Sequence, residues 1–168
     1  VVALTAPDGG FQRVIQQLYV TYGRIAIADF DGDGPAGVLS LDGLFFGNGD
    51  GTFRTPPIAT PAFGVPGDFN EDGRMDFATP LGNAAQLYLG NGDGTFLPGP
   101  SIVVEASGLQ AGDVDHDGHM DLVATVTGSV SVIYGRGDGT ADEIVKIPTA
   151  SYFTVASLGD LDGDGLLD

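Results

Sequence analysis

Four short acidic segments hold the residues best suited to chemistry in this sequence. Each reads Asp-x-Asp-x-Asp-Gly, with Asn70 in place of one Asp, and the copies begin at Asp29, Asp68, Asp113 and Asp160. An Asp follows at the ninth position of the last three copies, whereas Gly37 occupies it in the first. The odd-numbered positions of these segments contain 14 of the 23 acidic residues. Because clustered carboxylates repel one another, the pattern predicts that a cation binds between them.

The types and spacing of these oxygens favour calcium over other metals. Alternate residues at positions 1, 3 and 5 of a tight loop turn their oxygens inward. The Gly at position 6 permits the bend, and a main-chain carbonyl at position 7 adds a ligand. Ca²⁺ takes about six to eight oxygens, whereas Zn²⁺ and Cu²⁺ prefer nitrogen or sulfur and Mg²⁺ prefers a smaller octahedron. A plain Asp-Gly turn is the alternative for one copy, but four copies in register argue against it.

The EF-hand is a competing calcium motif that the sequence excludes. Its loop requires a Glu at position 12 and flanking helices. The three copies that reach position 12 have Ser40, Thr79 and Ala124 there. The flanking segments 24–28, 121–125 and 151–155 have the composition of strands rather than helices.

A second motif alternates with the acidic segments. Gly-Asn-Gly-Asp-Gly-Thr-Phe spans 47–53 and 90–96, a variant spans 135–141, and a degenerate copy spans 8–11. Asp-Gly between apolar stretches is typical of a hairpin turn, because Gly accepts a positive φ. We favour this interpretation. Extra cation binding remains the alternative, and its ligands would be Asp50, Asp93 and Asp138.

The spacing of the two motifs indicates a repeat protein. Successive acidic segments lie 39, 45 and 47 residues apart, and successive turn motifs lie 42, 43 and 45 residues apart. Such a period predicts an all-β, propeller-like array of about four four-stranded antiparallel blades. In the clearest unit, we expect strands at about 102–112, 121–127, 129–135 and 143–148, with the acidic loop between the first two.

Composition excludes several classes of partner. The chain has 6 basic residues against 23 acidic ones and a net charge of −17, so it cannot neutralise a row of phosphates. Nucleic acid is therefore excluded and an anionic membrane surface is disfavoured. There is no Cys for a disulfide or a thiolate site. No apolar run reaches the roughly 18 residues of a membrane span.

We predict no catalytic residues and no organic cofactor. No nucleophile stands beside a base, and a carboxylate that coordinates calcium is a poor proton shuttle. His116 occupies position 4 of the acidic segment that begins at Asp113, and His119 occupies position 7. We expect both side chains to face solvent. We interpret the acidic residues outside the loops as surface charges; they include Glu105, Asp142 and Glu143.

The two motifs together resemble the FG-GAP and VCBS-type repeats, which build the β-propellers of integrin α subunits and of fungal and bacterial lectin-like proteins. The resemblance covers the whole chain and implies about three to four calcium ions. It implies units at approximately 1–28, 29–67, 68–112, 113–159 and 160–168, the first and last partial. Main-chain carbonyl ligands would come from Pro35, Arg74, His119 and Leu166. The side-chain ligands would be Asp29, Asp31, Asp33, Asp68, Asn70, Asp72, Asp76, Asp113, Asp115, Asp117, Asp121, Asp160, Asp162, Asp164 and Asp168.

Gly37 breaks the ligand pattern, so we expect the first site to be weaker, completed by water or empty. Two function classes stay open. One is an extracellular structural or adhesion module that contacts proteins, with other copies of itself or the rest of a longer chain as partners. The other is a carbohydrate-binding module, for which Tyr19, Tyr22 and Tyr152 are candidate exposed aromatics. Segment 54–63 reads as an extended rim, as an O-glycosylated surface segment or as an edge strand with Pro residues that block pairing.

The ends of the chain suggest a location and a mode of assembly. The sequence begins without an initiator Met or a charged leader, so we expect a mature or excised piece of a secreted protein. It opens with a strand at 1–5 and ends at Asp168, the ninth residue of the last acidic loop. Each end would expose a strand edge, which suggests a head-to-tail contact between copies or with further sequence.

Overall fold

The computed structural model describes residues 2–5, 11–14, 18, 24–149, 157–165 and 167. Every regular element in these ranges is a β-strand. Strands β1 (Val2–Thr5) and β2 (Phe11–Val14) pair with each other as an antiparallel hairpin. None of the described residues belongs to a helix long and apolar enough to cross a membrane. The predicted degenerate turn at 8–11 lies mostly outside the described residues.

The remaining strands form three antiparallel sheets, which we call blades 1, 2 and 3. In each blade the spatial order of the strands follows the chain order. Blade 1 has β3 (Ala26–Ala28), β4 (Gly37–Ser40) and β5 (Gly43–Phe45). Blade 2 has β6 (Val65–Gly67), β7 (Asp76–Leu81), β8 (Ala84–Gly90) and β9 (Phe96–Val103). Blade 3 has β10 (Gly108–Gly112), β11 (Asp121–Val126), β12 (Ser129–Gly135) and β13 (Ala141–Pro148). The predicted all-β array of antiparallel blades is confirmed, with three blades of three or four strands in the described residues where about four blades of four strands were expected.

Segment 54–63 lies beside blade 1 in the position of a fourth strand. Ile58 exchanges two backbone hydrogen bonds with Leu44, each 2.8 Å long. The pairing does not extend into a regular strand because Pro56 and Pro57 have no N–H to donate. The edge-strand interpretation of this segment is therefore the better one.

The predicted strands of the third unit agree with blade 3 except at one boundary. Segment 102–112 was expected to be one strand, but Ile102 and Val103 end β9 of blade 2, where they pair with Ala85 and Ala84. The break follows at Ser107, whose backbone N–H donates to the Thr125 carbonyl at 2.7 Å. Each blade starts one strand before its acidic segment, whereas the predicted units were counted from the acidic segments themselves. The bounds of these units stay a prediction.

Apolar side chains pack between neighbouring blades. Between blades 1 and 2, Phe30, Leu39, Leu44 and Phe77 are buried, and the Phe77 ring lies 4.8 Å from the Phe96 ring at a steep angle. Between blades 2 and 3, the buried cluster includes Leu87, Leu109, Leu122 and Ile133. Packing of this kind holds blade 1 against blade 2 and blade 2 against blade 3.

The glycine that opens each turn motif is fixed by close backbone packing. A Cβ added at Gly90 would lie 2.2 Å from the Met75 carbonyl oxygen, and the same clash recurs at Gly47 and Gly135. We expect Gly90→Ala to lower the free energy of unfolding by about 1–3 kcal/mol, because the backbone must shift. Gly159→Ala is the control, since nothing lies within 4 Å of its added Cβ. Urea denaturation measures both, and equal effects would contradict this reading.

Candidate metal centres

The first three acidic segments form the connections between the first and second strands of the three blades. We call the four segments loop 1 (29–37), loop 2 (68–76), loop 3 (113–121) and loop 4 (160–168). Loop 1 joins β3 to β4, loop 2 joins β6 to β7, and loop 3 joins β10 to β11. This is the placement that the sequence predicted. Leu166 and Asp168 of loop 4 lie outside the described residues.

The structure brings the predicted carboxylates of positions 1, 3 and 5 together. In loops 1, 3 and 4, one oxygen from each of these three residues lies within 4.8 Å of the other two. The three groups are Asp29, Asp31 and Asp33; Asp113, Asp115 and Asp117; and Asp160, Asp162 and Asp164. In loop 2, the Asn70 amide donates to the Asp72 carboxylate at 3.2 Å, and the Asp72 N–H lies 3.2 Å from Asp68.

The residue at position 1 organises the bend of every loop. Its Oδ2 accepts a hydrogen bond from the N–H of the position-6 Gly, over 2.8 to 3.1 Å in the four loops. Those glycines have φ values between 81° and 99°, a region that other residues rarely adopt. They are Gly34, Gly73, Gly118 and Gly165. The predicted role of Gly at position 6 is therefore confirmed.

The position-7 residues follow directly after this bend. The N–H groups of Arg74 and His119 donate to the carboxylates of Asp72 and Asp117, at 2.9 and 2.8 Å. Pro35 has no N–H, so loop 1 lacks this bond. The use of these residues as main-chain carbonyl ligands stays a prediction.

The ninth-position aspartates of loops 2 and 3 connect each loop to the end of the neighbouring third strand of its blade. Asp76 and Asp121 are 0% and 1% exposed. In Asp76, one oxygen accepts the N–H of Phe69 at 3.0 Å and the other accepts that of Gly90 at 2.8 Å. Asp121 makes the equivalent bonds with Val114 and Gly135, both 2.8 Å long. Burial raises the pKa of both aspartates, while the backbone donors oppose the shift.

This second role of the ninth residue was missed by the sequence analysis, which assigned it only as a ligand. The signal that could have revealed it is a constant separation. Gly90 and Gly135 each open a turn motif 14 residues after the ninth-position Asp. In blade 1, where Gly37 replaces the Asp, the motif opens at Gly47 and the separation changes.

Two buried carboxylate oxygens provide the test of whether a metal fits. Asp31 Oδ1 and Asp113 Oδ1 are the buried side-chain oxygens without a hydrogen-bond partner among the described residues. A buried acceptor left without a donor costs free energy, and a bound cation removes that cost. Loop 3 adds three further carboxylates and contains no Lys or Arg. Its donor set therefore fits a hard divalent cation.

Comparison with known families agrees with this geometry. The model of the FG-GAP-like repeat matches residues 68–124 and 113–168, which together cover more than half of the chain. The chain belongs to the FG-GAP-like repeat family. The matched ranges contain loops 2, 3 and 4 and two of the turn motifs. A comparison with curated protein sequences gave no match.

Solved structures show that the FG-GAP chain shares its fold with two larger proteins. An Agrocybe aegerita lectin that recognises non-reducing terminal N-acetylglucosamine matches with a TM-score of 0.63 and 23% identity, over 86% of this chain and 46% of the lectin. The Tc holotoxin pore of Photorhabdus luminescens matches with a TM-score of 0.60 and 17% identity, over 96% of this chain and 9% of the toxin chain. The FG-GAP chain thus spans less than half the length of either.

The turn motifs of the FG-GAP repeats use their Asp residues within the turn. In blades 2 and 3 these motifs join the last two strands. Each Asp Oδ1 accepts the N–H of the Thr two residues later at 2.9 Å and also contacts its hydroxyl. These bonds lower the pKa of Asp50, Asp93 and Asp138. The structure supports the hairpin interpretation of the motif.

Neighbouring FG-GAP loops contact each other through their position-4 residues. The Glu71 carboxylate of loop 2 pairs with the His119 ring of loop 3. The His116 ring of loop 3 lies 2.8 Å from the Gly165 carbonyl of loop 4. Glu71 and His116 both have a positive φ, at 54° and 63°. The hydrogen bond with Glu71 raises the pKa of His119. His116 is exposed, as expected, and His119 is partly exposed, but the sequence analysis did not predict these contacts between loops.

Proposed function

We propose that loops 2, 3 and 4 bind calcium and that the chain acts as a calcium-stabilised, non-catalytic propeller module of an extracellular protein. The observation that carries the proposal is the buried, unpartnered Asp113 Oδ1 beside Asp115 and Asp117. In loop 3, Asp113, Asp115, Asp117 and Asp121 would hold the ion with the His119 carbonyl. Loops 2 and 4 would use the corresponding residues. Calcium supplies positive charge there and takes no part in a reaction.

The chemistry of the loops is consistent with an extracellular site. Positions 3 and 5 of loop 3 are exposed to solvent, so an ion is not enclosed by protein. Extracellular calcium modules bind the ion with dissociation constants of about 10⁻⁴ to 10⁻³ M, which matches such open loops. The net charge of −17 also disfavours compact folding without cations, because the loops repel one another. We therefore propose secretion into a calcium-containing environment.

Contact with another protein chain is the mode of action that we favour. Strand β13 lies at the edge of blade 3, and its Ile144 and Ile147 are 43% and 48% exposed. An edge strand with exposed apolar side chains is suited to pairing or packing with further sequence. The partner would be another copy or the rest of a longer chain.

Glycan binding is the second candidate, favoured by the shared fold with the lectin. The candidate aromatics Tyr19, Tyr22 and Tyr152 lie outside the described residues. A glycan array that includes terminal N-acetylglucosamine, probed with calcium and with EDTA, separates the candidates when combined with light scattering. Concentration-dependent association without glycan signal supports protein contact. Calcium-dependent glycan signal from a monomer supports the lectin-like function instead.

A pair of loop variants tests the assignment of the ligands. Asp115→Asn should remove one site and reduce the calcium-induced rise in melting temperature by roughly a third. Asp31→Asn should leave that rise nearly unchanged, because loop 1 lacks its ninth-position acid. Differential scanning fluorimetry measures both, in EDTA and in about 5 mM calcium, a concentration above the range of extracellular dissociation constants. Equal losses in the two variants would contradict the assignment.

A further inference from the structure

Loop 1 differs from loops 2 and 3 because a guanidinium group joins two of its carboxylates. Arg54 Nη1 donates to Asp31 Oδ2 at 3.0 Å, and Arg54 Nη2 donates to Asp33 Oδ2. The Asp31 side chain is only 12% exposed beside this arginine. Positions 3 and 5 of the loop are thus already joined by a cation that belongs to the chain.

The position of Arg54 is fixed by its own blade. Its backbone N–H donates to the Phe46 carbonyl at 2.9 Å, and its guanidinium lies 5.4 Å from the centre of the Phe46 ring. Arg54 directly follows the turn motif of blade 1. The residues at the same place in blades 2 and 3 are Leu97 and Asp142, which carry no positive charge.

The arginine of loop 2 is placed differently. Arg74 approaches a single carboxylate of its loop, Asp72, at 3.8 Å. The stem of Arg74 packs 3.3 Å from where a Cβ of Gly92 would lie, over the turn motif of blade 2. Arg74 therefore does not join two ligand positions as Arg54 does.

The ninth position of loop 1 also disfavours calcium binding. Gly37 replaces the ninth-position Asp, and a Cβ added there would lie 2.8 Å from the Phe45 carbonyl oxygen. The backbone packing leaves no room for an acidic side chain at this position. Loop 1 thus has three carboxylates and one guanidinium, whereas loop 3 has four carboxylates and no arginine or lysine. The set of ligands in loop 1 therefore suits calcium less well than the set in loop 3.

We propose that Arg54 takes the place of calcium in loop 1, so that blade 1 keeps its loop closed without metal. The inference rests on the proposed calcium binding of the other loops. A planar guanidinium that binds two carboxylates supplies the opposite charge and fixes their geometry. Asp31 Oδ1 remains buried and unpartnered. Once Arg54 is removed, this oxygen and the three carboxylates become available to a calcium ion.

Calcium titration of the full chain by isothermal calorimetry tests the proposal. Arg54→Gln should bind one more ion per chain than the wild type, and Arg54→Gln/Asp31→Asn should lose that extra ion. Arg54→Lys keeps the charge and should keep the wild-type number. Arg136→Gln is the matched control, because Arg136 is also about half exposed and pairs with Asp142 outside the loops. It should leave the number of ions unchanged.

Other outcomes would overturn the inference. Wild-type protein that binds one ion in each of the four loops would show that calcium displaces Arg54. An unchanged or lower number in Arg54→Gln would show that the arginine only orients the loop. If Arg54→Gln fails to fold, Asp33→Asn with Arg54 intact still decides, because it should keep the wild-type number of ions. No calcium binding by any variant would instead contradict the proposed function itself.

Discussion

Asp121→Ala should destabilise the chain by about 2–4 kcal/mol even when calcium is absent, because two backbone N–H groups lose their acceptor. The buried carboxylate accepts the N–H groups of Val114 and Gly135, and alanine would leave both donors without a partner. These two bonds connect the start of loop 3 to the end of β12. Without them, the loop and the hairpin of blade 3 should open together. Urea denaturation in excess EDTA measures the structural effect apart from any effect on a ligand.

The control for this prediction is Asp115→Ala in the same loop. Asp115 is exposed and accepts one backbone hydrogen bond, from Asp117 at 3.2 Å. In EDTA its removal should change the free energy of unfolding by less than about 1 kcal/mol. With calcium present, both variants should lose stability. If Asp115→Ala and Asp121→Ala were equally destabilised in EDTA, the ninth residue would have no role beyond metal binding.

Removal of calcium should produce the largest change in stability of the wild-type chain. Each ion that binds only the folded state adds about 2.7 kcal/mol at a hundredfold excess over its dissociation constant. For three occupied loops the sum is about 8 kcal/mol, which corresponds to a change of roughly 15–30 °C in melting temperature for a chain of this size. The midpoint should also rise continuously with calcium concentration. A midpoint that is the same in EDTA and in calcium would contradict the prediction.

A control separates this effect from general screening of the negative charge. The net charge of −17 means that any salt reduces self-repulsion to some extent. Magnesium at the same concentration supplies equal ionic strength but prefers a smaller, octahedral site. We therefore expect magnesium to produce only a small part of the calcium effect.

The features that the sequence analysis predicted correctly depend on short stretches of chain. The bend at Gly73 follows from an Asp-x-Asn-x-Asp-Gly pattern that closes on itself through Asp68. The turn at Asp93 likewise bonds to Thr95, two residues away. Such local motifs keep their conformation wherever the fold places them. Their repetition then indicates the array of blades.

The features that sequence reasoning missed depend on residues far apart in the chain. Arg54 meets Asp31 across 23 residues, and Glu71 meets His119 across 48 residues. Nothing in the composition of either segment selects these partners, because the first pair depends on how blade 1 folds back on itself and the second on how blades 2 and 3 stack. The boundary between β9 and β10 was placed wrongly for a similar reason. The apolar run at 102–104 suits a strand, and only pairing with β8 decides to which blade it belongs.

The number of calcium ions bound by the native chain tests the central claim most directly. Equilibrium dialysis against calcium at several concentrations, with free and bound ion measured by atomic emission, gives this number without reference to stability. The account predicts three ions per chain, with one lost in Asp115→Asn and none lost in Asp138→Asn, whose carboxylate belongs to a turn. Binding of no calcium at concentrations up to about 10⁻² M, above the range of extracellular modules, would contradict it.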